Sequence, residues 1–493
     1  MKIFDKMKVI KYMLFASFIL VFLNCEREDD KLFSSENSFV RFFLLVDNNN
    51  NVLEFPEKNG GLVAKSTYTK DNLKTLKVPV AITTGSIENS IQVGFETEVS
   101  GLTDYTIFPV NSLSFTNEKR VDTIYIKVNE NWDLSKNPQI KLTLTNSSNP
   151  SIAIGMQNES ISNKELIINF TETTFSYFFN INRKEISGAN QESFDFKVVF
   201  PNGFIKEDIE NSSLFSAPST FNYSIVKKPI TKEDEVEFTF TLNENLPDDS
   251  SLDASLTLVD VPNYVKGINK FLDINKPIKI NRSGNPVVNF YNLSNPFYRL
   301  FGEYWRYDTN DMICEWANTS VFPKPVIVTK DNPNGFLFSN NGTPNDTSDD
   351  IYHHKFRLGF VGNSAPIGTN PFSLRNLFDG ASVRSPGFNL TEAIEFFPKN
   401  GNSTTEGIVN VITQRIVIIS LASGIPYTVP ISGTGTYKLV NSTNNLWKIE
   451  LEILVDCSEI NGEIVTINYI LYNSNSYPDP DPINGSCPRV INL

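Results

Sequence analysis

Apolar and polar residues alternate with a period of two along most of the chain. The clearest runs lie at 124–128, 140–144, 194–200, 236–242 and 447–453. Because successive side chains of a strand point to opposite faces of its sheet, each run predicts a strand with one buried and one solvated face. No long stretch shows the roughly 3.6-residue period of an amphipathic helix. The pattern therefore predicts an all-β protein.

Asn-Gly pairs, which favour tight turns, separate many of these runs. The pair Asn461-Gly462 stands between the run at 447–453 and another at 465–471, and predicts a hairpin. The last hairpins of the chain predict a β-barrel or a curved β-meander. Composition and turn signals together predict a leader (1–24), a tether (25–37), a β-sandwich (38–171), a second β-sandwich (172–285) and a C-terminal β-rich domain (286–493).

The C-terminal domain opens with a helix signal. Asn295-Pro296 suits a helix N-terminus, and Phe297, Tyr298, Phe301 and Tyr304 predict a short helix with one apolar side. A strand then follows from Gly302 to Trp305. A helical turn before a Gly and Trp strand resembles the start of lipocalin-like barrels, which carry Gly-x-Trp where this chain has Gly-x-x-Trp.

The N-terminus carries a targeting pattern. Four lysines precede an apolar run at 13–23, which is too short to span a bilayer and fits a secretory signal. The run ends at Phe22-Leu23-Asn24-Cys25, which resembles the lipobox of bacterial lipoproteins. That resemblance implies cleavage before Cys25 and lipidation of its sulfur. An uncleaved anchor, or an ordinary signal with an unrelated cysteine, is the alternative.

An acidic cluster of Glu26, Glu28, Asp29 and Asp30 follows at once. It resembles the surface-export signal of lipoproteins in the Bacteroidota, and the same residues also suit a solvated tether. The resemblance implies a lipid-anchored protein of the outer membrane that faces the cell exterior.

Charge and composition limit the classes of function that this chain could have. The formal net charge is −13, and the chain holds only two histidines and four cysteines. Such an acidic chain without a basic tract is not expected to bind nucleic acid. We find no nucleophile elbow, phosphate loop or His-Glu-x-x-His motif, and we expect no catalysis and no cofactor. A glycosidase needs only two carboxylates, so a hydrolase stays a third hypothesis.

The first β-sandwich resembles a Calx-beta domain. The similarity rests on four segments: Asp104-Tyr105-Thr106, Leu113-Ser114-Phe115, Ile124–Val128 and Ile140–Asn146. It implies a β-sandwich over about 40–146. Calcium-binding members of that family carry several acidic residues after the Ile strand, where this chain offers Glu130 and Asp133. Because calcium needs several converging oxygens, we expect the fold without the metal.

Two further segments could hold a metal. Asp346, Asp349 and Asp350 follow a Gly turn in a polar loop and resemble part of a calcium loop, although a solvated hairpin tip is the favoured interpretation. His353 and His354 are adjacent, so on a strand they would face opposite ways and could not easily share one ion.

Among the cysteines, Cys457 and Cys487 flank a predicted hairpin and are the preferred disulfide pair. Three buried thiols, with Cys314 as the third, are the alternative.

Aromatic residues supply the last indication of function. Trp305, Tyr307 and Trp316 lie close together early in the C-terminal domain. Exposed rings can stack on sugars, whereas buried rings fill a barrel, and Trp305 is the residue that fits the core best. We expect a surface lipoprotein that captures a polysaccharide or other nutrient alongside an outer-membrane transporter. That partner is implied by the resemblances in export signal and architecture. A structural or adhesive protein that binds another protein is the alternative.

Overall fold

The structure is a computed structural model, which describes residues 38–43, 45–46, 63–64, 66–155, 163–218, 220–279, 281–291, 298–307, 312–362, 371–374, 378–379, 387–419, 426–474, 480 and 491–492. For 45–46, 63–64, 298–299, 301–307, 312–318, 373, 378–379, 419, 461 and 491–492 only the backbone is described. Cys25 and the acidic cluster at 26–30 lie outside these residues. No helix in the described part of the chain is long and apolar enough to cross a membrane.

Twelve strands form the N-terminal part of the described chain. Two five-stranded sheets contain most of them, in the orders β11-β1-β5-β9-β7 and β4-β12-β10-β6-β8. The alternating runs at 124–128 and 140–144 lie in β9 and β10, as predicted, and their apolar side chains are buried in one shared core. A short 3-10 helix, Leu134–Lys136, joins them. The strands are β1 (Phe39–Phe42), β2 (Leu45–Val46), β3 (Val63–Ala64), β4 (Thr67–Lys70), β5 (Leu76–Thr83), β6 (Ile91–Ser100), β7 (Tyr105–Phe108), β8 (Ser112–Phe115), β9 (Val121–Val128), β10 (Gln139–Ser147), β11 (Ala153–Ile154) and β12 (Glu165–Phe170).

The next nine strands also form two sheets. The five-stranded sheet has the order β17-β18-β15-β13-β20, and the four-stranded sheet has the order β14-β21-β19-β16. Phenylalanines dominate their core: Phe196 stacks on Phe238, and Phe194 stacks on Phe240 across the β15–β18 pair. One short α-helix, Lys206–Glu210, interrupts the strands. The strands are β13 (Ser176–Phe179), β14 (Arg183–Glu185), β15 (Ser193–Val199), β16 (Phe215–Ser216), β17 (Tyr223–Lys227), β18 (Glu235–Leu242), β19 (Leu252–Leu258), β20 (Val265–Lys266) and β21 (Phe271–Lys276).

The chain divides into two compact units, and the division does not fall at a single linker. The first unit contains Met1–Lys184, Asn190–Glu244 and Ala254–Leu272, and the second contains Glu185–Ala189, Asn245–Asp253 and Asp273–Leu493. Two short segments from the middle of the chain thus belong to the same unit as the C-terminal strands.

Five of the C-terminal strands of the second unit are longer than any strand of the first unit. A 3-10 helix, Pro286–Phe290, precedes them, and Lys399–Gly401 (3-10) and Ser458–Asn461 (α) form short turns between them. The strands are β22 (Tyr298–Tyr307), β23 (Met312–Val328), β24 (Gly335–Ser339), β25 (Ile351–Val361), β26 (Phe372–Ser373), β27 (Phe378–Asp379), β28 (Gly387–Phe388), β29 (Leu390–Pro398), β30 (Glu406–Ile419), β31 (Pro426–Asn441), β32 (Leu446–Cys457), β33 (Glu463–Tyr472) and β34 (Ile491–Asn492).

Eight of these strands close into a ring of antiparallel pairs. The order is β22-β23-β25-β29-β30-β31-β32-β33, and β33 pairs with β22 to complete it. Inward side chains from the ring form one apolar core, to which Val287 and Phe290 of the 3-10 helix also belong. The prediction of an all-β protein is confirmed. For the C-terminal region the sequence predicted a β-barrel or a curved β-meander, and the closed strand pairing is that of a barrel.

One local prediction is wrong. We expected a short helix after Asn295-Pro296, but Tyr298 already begins β22. That strand pairs with β23 on one side and with β33 on the other, so ladder hydrogen bonds favour the extended backbone. The helical turn forms instead at the preceding Asn-Pro pair, where Asn285 precedes the 3-10 helix that starts at Pro286.

Candidate functional site

The aromatic residues singled out in the sequence lie on one hairpin of the barrel. Trp305 and Tyr307 belong to β22 and Trp316 to β23, where Trp316 pairs with Glu303. Their side chains lie outside what the structure describes. Their role in ligand binding stays a prediction.

The acidic loop is held together by its own hydrogen bonds. The Thr343 hydroxyl donates to both carboxylate oxygens of Asp349, at 2.8 and 2.9 Å. Asp346 accepts from the backbone and hydroxyl of Ser348, which lowers the pKa of its carboxyl. Tyr352 donates to Asp350 at 3.3 Å. Across the described ranges, no group of three metal-ligating side chains comes together.

Both histidines are buried. The His353 ring stacks on Phe338 with a centroid separation of 4.1 Å. His354 accepts a hydrogen bond at Nδ1 from the backbone N–H of Phe356. Burial, together with the charges of Arg357, Arg282 and Lys355, lowers the pKa of His354 to about 3. A neutral imidazole with this environment fits a role in packing.

The acidic residues near the Calx-beta metal position serve the local backbone. Glu130 accepts hydrogen bonds from Thr103 and from the Asp104 N–H. Burial opposes ionisation of Glu130, but these hydrogen bonds outweigh it and lower its pKa. Asp133 caps the 3-10 helix by accepting from the Ser135 N–H at 3.0 Å. Each carboxylate therefore has a structural task.

The structure has Cys457 as a free, buried thiol and not in the disulfide that we expected. Burial, with the neighbouring Asp456 carboxylate, raises the pKa of this thiol to about 11. Its side chain belongs to the barrel core, which explains why it has the protonated form. Cys487 and Cys314 lie outside the described side chains.

A cleft of about 600 Å³ lies at one end of the barrel and was not foreseen from the sequence. It forms where the turn at Lys399–Gly401 and the adjoining ends of β29, β30 and β31 meet Arg282. Its lining consists of Arg282, Phe397, Pro398, Lys399, Asn400, Gly401, Glu406, Gly407, Ile408, Thr436, Tyr437 and Lys438.

The floor of this cleft is apolar, and packed side chains support it. The Arg282 guanidinium packs over the rings of Phe356 and Phe397, at 4.5 and 4.4 Å from their centroids. It also donates to the Phe396 carbonyl at 2.6 Å and to Glu395 at 3.0 Å. Ile408 is 55% exposed beside Phe397, its register neighbour on β29. The floor thus offers an apolar surface whose supporting side chains are fixed.

The rim of the cleft is polar and charged. Lys399 forms an ion pair with Glu406 at 2.7 Å. Lys438 lies directly opposite Glu406 on β31, and Thr436 lies opposite Ile408. Donors and acceptors therefore alternate around the apolar floor.

One polar group at the cleft has no partner. The Tyr437 hydroxyl is buried and makes no hydrogen bond to any described residue. Burial raises the pKa of Tyr437 to about 12, so the group is a donor at neutral pH. Its ring packs against Phe396 in an edge-on contact.

Sequence reasoning had little chance of finding this cleft. Arg282 stands near the predicted end of the second β-sandwich (172–285), and the remaining residues come from three separate strands and the turn between two of them. The available signal is Ile408, an apolar residue at an outward position of its strand.

A second surface is an exposed edge of the first unit. Phe108 on the edge strand β7 is 65% exposed and lies directly opposite Tyr125 of β9, which is 41% exposed. Val110, just after β7, is 77% exposed. These residues present apolar surface next to a strand edge.

Comparison with known proteins gives similarity of fold alone. No family model matches the chain, and no curated protein matches it. Solved structures similar to it are Calx-beta and cadherin-like β-sandwich domains. The calcium binding domain CBD12 of CALX1.1 has 15% identity and a TM-score of 0.21, and the match covers 43% of this chain and 97% of that one. CBD12 from CALX1.2 has 16% identity with the same TM-score and coverage. Mouse clustered PcdhgC3 EC1-3 has 10% identity and a TM-score of 0.19, covering 51% of this chain and 81% of that one.

Proposed function

We propose that this protein captures a polysaccharide at the cell surface without catalysing a reaction on it. The observation that carries the proposal is the cleft at the barrel end, with its apolar floor and its rim of alternating donors and acceptors. Concave sites of this size, with a few fixed polar groups, are the usual form of small-ligand sites.

The chemistry of the lining suits a saccharide. A sugar ring has an apolar face of C–H groups, which would lie on the exposed side chain of Ile408. Its hydroxyls both donate and accept, and the rim supplies Lys399 and Thr436 as donors and Glu406 as an acceptor. Binding without catalysis is the simpler role for these side chains.

The location of the protein is also part of the proposal. Lipidation of Cys25 and the acidic cluster behind it would hold the body on the outer face of an outer membrane. A polysaccharide captured there could be passed to an outer-membrane transporter.

The test uses the full chain, purified in detergent, in affinity gels that contain a panel of polysaccharides. Ile408→Asp places a charge on the apolar floor and should abolish retardation by any glycan that binds. Ile464→Asp is the matched control, because Ile464 is 62% exposed on β33 and does not line the cleft. Equal retardation of both variants would place binding elsewhere, and shortening of the glycan would reveal a hydrolase.

A structural or adhesive role is the second candidate. It is favoured by the exposed edge at Phe108, Tyr125 and Val110, because an uncovered strand edge with apolar side chains can pair with another protein. If no glycan retards the chain, whereas a Phe108→Ser and Tyr125→Ser double variant loses adhesion of cells to the immobilised protein, this role replaces the first.

A further inference from the structure

We infer that the cleft selects anionic saccharides, whose carboxylate or sulfate group would pair with Lys438. The inference rests on the proposed function and specifies its ligand class. It follows from the ion pairs that the lysines and glutamates at and beside the rim form with one another.

Lys399, Glu406 and Lys438 line the cleft, and Lys448 and Glu450 lie on the adjoining strand β32. Lys399 is matched by Glu406 at 2.7 Å, and Lys448 is matched by Glu450 at 2.5 Å. Lys438 reaches Glu450 only at 3.9 Å, so it shares a carboxylate that another ammonium group already holds. One positive charge is therefore in excess.

The excess positive charge on Lys438 lies next to another positive charge. Lys438 and Lys448 lie directly opposite each other on β31 and β32. Like charges at such positions destabilise a sheet, because the two side chains share one face at short range. An anionic ligand would relieve that repulsion, whereas a neutral ligand would not.

Arg282 cannot serve the same purpose. Its guanidinium is already held by Glu395, by the Phe396 carbonyl and by two aromatic rings. Lys438 is half-exposed and lines the cleft, so it is the cation that a ligand can reach. The chain as a whole is strongly acidic, so general attraction of anions to the protein does not account for binding at this point.

The probes are polygalacturonate and the same polymer after its carboxyl groups have been reduced to alcohols. Titration calorimetry on the full chain should show about tenfold weaker binding of the reduced polymer, the loss of one charge-assisted hydrogen bond. λ-Carrageenan and its desulfated form make the second arm, which distinguishes a sulfate from a carboxylate. Lys438→Gln should cause a similar loss with the anionic probe, and Lys324→Gln, an exposed lysine of β23 outside the cleft, should not.

Equal binding of charged and neutral polymers, or an unchanged affinity of Lys438→Gln, would overturn this inference and leave the proposed function standing. Absence of binding to these probes and to every polysaccharide of the wider panel would overturn the proposed function itself.

Discussion

The Glu395 carboxylate accepts a hydrogen bond from the Arg282 guanidinium at 3.0 Å, and both side chains are almost completely buried. Arg357 approaches the same carboxylate at 3.3 Å and pairs with Glu185 at 2.8 Å. A buried carboxylate between two arginines supports the floor of the cleft from below.

Removal of that carboxylate should be costly. We expect Glu395→Gln to lower the free energy of unfolding by about 3–5 kcal/mol, because it leaves two buried guanidinium groups without their shared charge. Urea denaturation measures the change. Glu185→Gln is the control, since Glu185 is partly solvated and should cost no more than about 1 kcal/mol. Equal losses for the two variants would contradict the central role of Glu395.

The β31–β32 pair leaves no room for a side chain at Gly435. A Cβ at Gly435 would collide with the backbone oxygen of Glu450 on the neighbouring strand. We expect Gly435→Ala to destabilise the protein by about 1–3 kcal/mol, because backbone must shift to admit the methyl group. Gly342→Asn is the control: it meets open space, and asparagine tolerates the left-handed backbone of Gly342. Thermal unfolding that separates these variants would confirm the close approach at Gly435.

Acid should weaken the fold through His354. The folded protein lowers the His354 pKa from 6.5 to about 3, so the unfolded chain takes up the proton first. The stability from this residue is therefore complete above about pH 6.5 and is lost as the pH falls toward 3. Each pH unit within that window costs up to about 1.4 kcal/mol.

His354→Asn keeps a hydrogen-bond acceptor for the Phe356 N–H and removes the titration. Urea denaturation between pH 6.5 and 5, above the range of most carboxylates, should show a smaller slope for the variant. Parallel slopes would mean that His354 is not the titrating group. His353, whose pKa burial also lowers, should supply the slope that persists.

Removal of the unpartnered Tyr437 hydroxyl, unlike the changes above, should not destabilise the protein. Tyr437→Phe removes a buried group without a described partner, so stability should be unchanged or should rise by up to about 1 kcal/mol. Tyr177→Phe should instead lose about 1 kcal/mol, because the Tyr177 hydroxyl donates to the Val259 carbonyl. A comparable loss in both variants would show that Tyr437 has a partner.

Much of the fold could be predicted because sheet alternation is a local pattern. The runs in β9, β10, β15, β18 and β32 were visible as apolar residues at every second position. Closure of the barrel was not visible, because it depends on Tyr469–Tyr472 meeting Arg299–Gly302 across most of the C-terminal region. The Asn-Pro pairs at 285–286 and 295–296 show the same limit: the dipeptide is a helix signal in both places, but only the first begins a helical turn, because strand pairing holds Tyr298 and its successors in β22.

The cleft shows why sites are harder to predict than strands. Lys438 and Glu406 face each other only because β30 and β31 pair in one register, and nothing in the sequence near either residue indicates it. Trp305, Tyr307 and Trp316 were selected because they lie close together in the sequence. The residues that line the cleft are separated in the sequence, and the turns between the strands bring them together.

The interleaved boundary between the two compact units has a consequence for the history and engineering of this protein. Asp273 pairs with Arg415, and Glu185 pairs with Arg357, within one unit although the residues of each pair are far apart in sequence. A gene fragment that starts at residue 286 would encode both arginines without their acidic partners. Exchange of the C-terminal region by simple recombination would therefore be selected against, and shuffling experiments should recover chimaeras whose crossover points lie before residue 185.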